Sequence, residues 1–190
     1  DYQLVTGPGA GNGTLTFNTD GTYTFNPGSD FDALAVGQTQ DVTFTYTATD
    51  NDGAASAPRT VTITVTGTND APVASDDARG VTKSGTLSAS VPAATDVDGS
   101  IASYQLLAGP GAGNGTLTFN SDGSYTFVPG ADFAALPVGQ TRAVTFSYAA
   151  VDNEGASSAP RTVTLTVSGA NTAPVAADGS ATTAENSVLS

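Results

Sequence analysis

The chain has 190 residues, with 18 acidic against 5 basic side chains, a net charge of −13, and no cysteine or histidine. Disulfides, thiolate metal sites and the usual Ser–His or Cys–His nucleophile pairs are therefore excluded, and the acidity argues against nucleic acid or an anionic membrane surface as a partner. No stretch reaches the ~20 apolar residues needed to cross a bilayer, and no signal peptide is visible, so any targeting signal would lie elsewhere in a longer protein.

Only 38% of residues are apolar and 12% charged. Threonine, glycine, serine and asparagine make up the difference. Thr, Val, Phe and Tyr favour strands, while Gly, Asn, Asp and Pro punctuate turns, so the chain reads as all-β.

An internal repeat sets the organisation. The run YQLVTGPGAGNGTLTFNTDGTYTFNPGSDF from Tyr2 returns as YQLLAGPGAGNGTLTFNSDGSYTFVPGADF from Tyr104, an offset of 102 residues. Aligned at that offset, residues 1–76 match 103–178 at 55 of 76 positions without a gap. Residues 1–68 are thus repeat one, truncated at its N-terminus, residues 69–170 a complete repeat two, and residues 171–190 the start of a third. The expectation is a fragment of a longer array of ~100-residue sandwich domains.

In chain order, the complete repeat offers Thr86–Val91 as a first strand, then Ser103–Leu107, Gly115–Asn120 and Ser124–Val128. The last two are joined by Asn120-Ser121-Asp122-Gly123, and the Asp-Gly pair supplies a residue that tolerates positive φ, which predicts a hairpin. Asp132–Gln140, like Asp30–Gln38, is read as one helical turn capped by its aspartate. Ala143–Val151 and Arg161–Val167 are the longest strands. In them Val144, Phe146 and Tyr148, and Val163, Leu165 and Val167, share one face and hydroxyl residues the other, as in an antiparallel sheet wet on one side. The prediction is a β-sandwich of about seven strands.

The glycine-rich GPGAGNG (7–13 and 109–115) lacks the lysine and following helix of a phosphate loop and reads as a flexible inter-strand loop. The acidic turns are the informative feature. TGTNDAPVASDD (66–77) supplies Asn69 and Asp70, ATDVDGS (94–100) Asp96 and Asp98, and AVDNEGASSAP (149–160) Asp152 and Glu154. In repeat one ATDNDGAASAP (48–58) supplies Asp50 and Asp52. Carboxylate pairs can hydrolyse glycosides, and Asp96 with Asp98 or Asp152 with Glu154 would be the candidates. Acids that recur in successive repeats suit a structural role better, so no enzymatic activity is expected. Ca²⁺ takes six to eight oxygens from carboxylates, amides and carbonyls, and Asp-x-Asp-Gly presents two carboxylates on one tight turn. No acid closes a twelve-residue loop, which excludes an EF-hand. The plain alternative is that Asp, Asn and Gly are simply good turn formers.

The order of these elements resembles cadherin repeats. More closely, DGSYTFVPGADFAALPVGQTRAVTFSYAAVDNEG with TVTGTNDAPVA resembles the VCBS-type repeats of large bacterial RTX adhesins. The resemblance implies cadherin-like sandwiches in series, calcium at their junctions, type I export and a place on the bacterial cell surface. It assigns metal ligation to Asn69, through its carbonyl, and to Asp70 from the linker, with Asp96, Asp98 and Asp152 from the adjoining pole of repeat two. Asp50, with Asp52, would face a preceding junction. Asp70 becomes Thr172 in the next linker, and Lys83 stands where the resembled pattern, like Glu185 in the tail, has glutamate. The implied function is a calcium-stiffened, non-enzymatic spacer whose partners are neighbouring repeats and calcium ions, with no direct membrane contact. The alternative is a carbohydrate- or ligand-binding module of a secreted protein; its usual mark, exposed aromatics, is lacking here because Tyr and Phe alternate along strands. Residues 173–190 carry part of the segment that repeat one lacks, so strand donation between chains is a further possibility, against the simpler reading of an arbitrary fragment boundary.

Overall fold

In the computed structural model, which describes residues 1–186, the alternating runs become short strands. Repeat one comprises β1 (Tyr2–Thr6), β2 (Thr14–Phe17), β3 (Tyr23–Asn26), β4 (Thr39–Ala48) and β5 (Arg59–Thr66). Repeat two comprises β6 (Asp77–Thr82), β7 (Leu87–Ser90), β8 (Ile101–Ala108), β9 (Thr116–Phe119), β10 (Ser124–Val128), β11 (Thr141–Asp152) and β12 (Arg161–Ser168). The fold is all-β, and the complete repeat has the seven strands of a sandwich. A four-stranded sheet, β6-β12-β11-β8, packs on a three-stranded one, β7-β10-β9. Strand β6 lies parallel to β12, whereas the other strand pairs among the described residues are antiparallel.

Alternation decides which side chains meet. Val144, Phe146 and Tyr148 of β11 and Val163, Leu165 and Val167 of β12 are buried, while Thr145, Thr162 and Thr166 between them are exposed. From the facing sheet come Tyr125 and Phe127, and the space between is closed by Phe133. The rings meet edge-on, with centroids 5.0 Å apart for Tyr125–Phe146 and 5.9 Å for Phe119–Phe146, a geometry that adds to simple area burial. The Asn120–Gly123 hairpin forms as read: Asn120 N–H donates to Ser124 O at 2.9 Å, and Gly123 has φ 83°.

Two local readings change. The helical turn is a 3-10 turn over Gly130–Phe133, with Gly28–Phe31 as its counterpart, and Pro129 or Pro27 precedes it without a side-chain cap. The aspartate lies inside the turn, so its carboxylate cannot cap. Instead Asp132 accepts from Gly115 N–H at 2.9 Å, and Asp30 from Gly13 N–H at 2.8 Å. The GPGAGNG loop does join two strands, but it is braced. Asn114 Nδ2 donates to Pro110 O at 2.8 Å, and the Arg142 guanidinium, stacked 4.1 Å over the Phe133 ring, reaches Gly113 O and Asn114 Oδ1. Gly115 admits no other residue: at φ 84° a Cβ would stand 2.7 Å from Val128 O and 2.9 Å from the Phe127 ring.

Candidate functional site

After β5 the chain runs through Gly67–Pro72 and is then fastened to repeat two. Val73 and Thr95 exchange backbone hydrogen bonds of 2.8 and 3.0 Å. The buried Tyr148 hydroxyl donates to Ser75 O at 2.6 Å, tying the entering segment to the core. Because Thr95 precedes the Asp96–Gly99 turn directly, this bridge sets the linker beside that turn.

The expected ligands of this junction come together from three segments. Asp70 N–H donates to both oxygens of Asp98, at 3.4 and 3.3 Å. Asn69 Nδ2 donates to Asp152 Oδ2 at 2.8 Å, and Asp152 Oδ1 accepts from Glu154 N–H and Ala156 N–H at 2.9 and 2.8 Å. Asp152 is only 2% exposed, and those donors are why a buried carboxylate is tolerated there. Asp96 Oδ1 accepts from Asp98 and Gly99 N–H at 3.3 and 3.2 Å, holding the turn. Gly99 has no side chain because there is no room: a Cβ would lie 2.9 Å from Asn153 Oδ1, 3.3 Å from Glu154 Oε2 and 3.5 Å from Asp96 Cγ. Asn153 Oδ1 in turn accepts from Ser100 N–H at 2.7 Å, joining the two acidic turns.

The electrostatics are one-sided. Among the described residues the single ion pair is Arg79 with Asp77, on strand β6, so no base neutralises the junction acids. Burial, with the charges of Asp96 and Asp70 adding to it, pushes the Asp98 carboxyl above its ordinary range, against the pull of the Asp70 N–H. The Asn69 amide, helped by the Ala156, Gly155 and Glu154 N–H groups, holds Asp152 below that range despite its burial.

Among the described residues no three acidic side chains close on a single point as a preformed metal centre. Two buried oxygens of the junction are nevertheless left without partners, Asn69 Oδ1 and Asp96 Oδ2. Orphaned acceptors in an acidic pocket fit a hard cation, which supplies charge without needing a donor hydrogen.

Asp50 and Asp52 lie elsewhere. Strands β4 and β5 pair Thr39 with Thr66 and Tyr46 with Arg59, so the turn carrying Asp50 and Asp52 sits at the end of repeat one away from the linker. There Asp50 Oδ1 accepts from Asp52 N–H and Ala54 N–H at 3.0 and 2.8 Å, the same loop geometry as at Asp152. One residue escaped the sequence reading. Asp32 lines, with Asp70, Gly28 and Thr68, a cavity of about 200 Å³ between repeat one and the linker. Its signal was available, since Asp32 stands where repeat two has Ala134.

Two β-sandwich repeats in series, with acids from the linker and the next domain's loops meeting at the seam, are a cadherin-like architecture. A family profile for the bacterial cadherin-like domain matches residues 1–67 and again 69–169, and the chain belongs to that family. Among curated proteins no sequence match was found. Of solved structures, mouse clustered PcdhgC3 EC1-3 is similar at 16% identity and TM-score 0.44, covering 90% of this chain and 55% of that one. Chicken VE-cadherin EC1-2 is similar at 17% identity and TM-score 0.39, covering 90% and 83%. A nucleoside hydrolase-related hypothetical protein from Saccharophagus degradans is similar at 15% identity and TM-score 0.36, over 52% of this chain and 26% of that one.

Proposed function

We propose that the chain is a non-enzymatic spacer from a long bacterial surface adhesin, in which calcium locks each acidic junction and holds successive repeats in line. The carrying observation is the pair of buried, unpartnered oxygens of Asn69 and Asp96, set among Asp70, Asp98 and Asp152 with no base to pair with them. Asn69, Asp70, Asp96, Asp98 and Asp152 would hold the ion, with Asp32 added from repeat one. Asp50 and Asp52 would serve the preceding junction in the same way. An ion joining these groups offsets the burial, and the smaller effect of neighbouring charges, that raises Asp98, and ties the linker to the domain it enters. Short linkers between compact domains leave relative motion free unless something clamps them. Membership of the bacterial cadherin-like family and the resemblance to VCBS-type repeats support an extracellular setting for such a clamp.

Small-angle scattering of the 190-residue chain tests this. With millimolar calcium the expected result is a longer, narrower particle than in EDTA. Equal maximum dimensions in both solutions would sink the stiffening role. Calorimetric titration separates binding from stiffening, since Asp70→Ala combined with Asp98→Ala is expected to abolish calcium uptake at the junction.

A further inference from the structure

A second cavity, of about 620 Å³, opens at the opposite pole of repeat two and includes Lys83, Gly130, Ala134, Ala170 and Thr172 in its wall. Shifted by the 102-residue repeat, the last four are the counterparts of Gly28, Asp32, Thr68 and Asp70, the wall of the junction cavity between repeat one and the linker. The same place in two successive repeats therefore carries opposite chemistry. Two carboxylates line the first cavity. The second has Ala134 and Thr172 in their places, and the Lys83 ammonium in its wall.

That ammonium is well held. Lys83 is the sole lysine of the chain, the first residue of the turn that leaves β6. Its Nζ donates to Ala134 O at 2.9 Å and to Leu136 O at 3.1 Å, two carbonyls just past the Gly130–Phe133 turn. Backbone carbonyls are cation ligands, and here they are taken by a charge that cannot leave. In repeat one the counterpart carbonyls belong to Asp32 and Leu34, and the position matching Lys83 falls before residue 1.

We infer that Lys83 is a tethered cation that decides which junctions of the array take calcium: its ammonium seats on the carbonyls of Ala134 and Leu136 and closes the exit pole of repeat two to the ion. The removal of Asp32 and Asp70 equivalents acts in the same direction, because a divalent ion would there meet like charge and few anionic oxygens. The seam entering repeat two is then locked by calcium and the seam leaving it ignores the ion, so chelation loosens the first and leaves the second unchanged. This assignment takes the calcium reading of the first junction as its reference.

Calcium titration by calorimetry on wild type and four variants tests it, with circular dichroism as the check on folding. Lys83→Glu with Ala134→Asp and Thr172→Asp is expected to bind one more ion than wild type, with a Kd on the order of 10⁻⁴–10⁻³ M, the range of extracellular modules. Lys83→Glu alone, the milder variant, is expected to gain a weaker form of the same event. Asp70→Ala with Asp98→Ala, with Lys83 intact, is expected to bind no ion at the exit pole. A folded triple variant with wild-type stoichiometry overturns the inference. So does calcium that persists in Asp70→Ala/Asp98→Ala and disappears on adding Asn171→Ala. If wild type binds no calcium while the triple variant does, the clamp reading fails and the role of Lys83 stands.

Discussion

The two repeats are near-copies in sequence yet differ in how far their shared residues are buried. Tyr125 is 2% exposed and its counterpart Tyr23 45%, although both sit on the inner face of the same strand of the hairpin. In repeat two β7 pairs with β10 and β6 with β12, and Val91 and Ala74 join the core behind them. Among the described residues the corresponding edges of β3 and β5 have no such partners, the positions matching β6 and β7 falling before residue 1. The comparison teaches that the aromatic hairpin does not make its own core; the strands entering from the linker complete it. Since that same linker carries Asn69 and Asp70, core completion and junction chemistry depend on one segment.

The largest break in the comparison should come from the core. Phe127→Ala is expected to cost about 3–5 kcal/mol, as for fully buried aromatics, whereas Phe25→Ala at the half-buried counterpart should cost about 1–2 kcal/mol. Urea unfolding, with hydrogen exchange to assign each loss to its repeat, checks both. Next comes the junction. With calcium at about 100 times its Kd, binding stabilises by about 2.7 kcal/mol, so EDTA should lower the melting temperature of wild type and leave Asp70→Ala/Asp98→Ala unmoved. A smaller effect is expected at Tyr148, whose hydroxyl anchors Ser75. Tyr148→Phe should cost about 1 kcal/mol, and Tyr46→Phe next to nothing, since among the described residues the Tyr46 hydroxyl makes no such bond; thermal melts of the two variants compare them directly.

The smallest and most diagnostic effect is on pH. Asp98 is raised above 3.8 in the folded chain, so without calcium its protonation favours folding, and stability is gained as pH falls from its folded value towards 3.8. Asp152 is lowered below 3.8, so its contribution is present above that value and is lost as pH falls through its folded value. Apo stability should therefore rise slightly towards pH 4 and decline below it, and Asp98→Asn should remove the rise. With calcium the rise should vanish in wild type too, because proton and ion compete for Asp98. Denaturant melts across pH 3–7 check both limbs.

Much of this was legible in the sequence, for physical reasons. Two-residue alternation marked the buried face of β11 and β12, and Asp122-Gly123 marked the hairpin, since local rules act there without help from distant residues. Asp70, Asp96, Asp98 and Asp152 were named as a set through the resemblance to cadherin repeats; single turns alone read equally well as ordinary Asp-Gly turns. What escaped depends on long-range geometry. Asp132 reads as a cap by position but tethers Gly115, and Asn114 with Arg142 stiffens a loop that composition alone makes look slack. Asp32 was overlooked because it stands singly, and only the comparison with Ala134 gives it meaning. Lys83 was visible as a departure from pattern, but the carbonyls that receive it belong to residues more than fifty positions away.

The parallel pairing of β6 with β12 bears on how the repeat carries a load. Six residue pairs, from Asp77–Val163 to Thr82–Ser168, align the first and last strands of the domain side by side. Tension entering at the linker and leaving after β12 pulls these two strands along their length in opposite directions. All their hydrogen bonds then resist together in shear, instead of opening one at a time like a zip. A spacer strung between a surface and its anchor would yield abruptly at high force, and the seam at Asn69 and Asp70 sits directly in that line of pull.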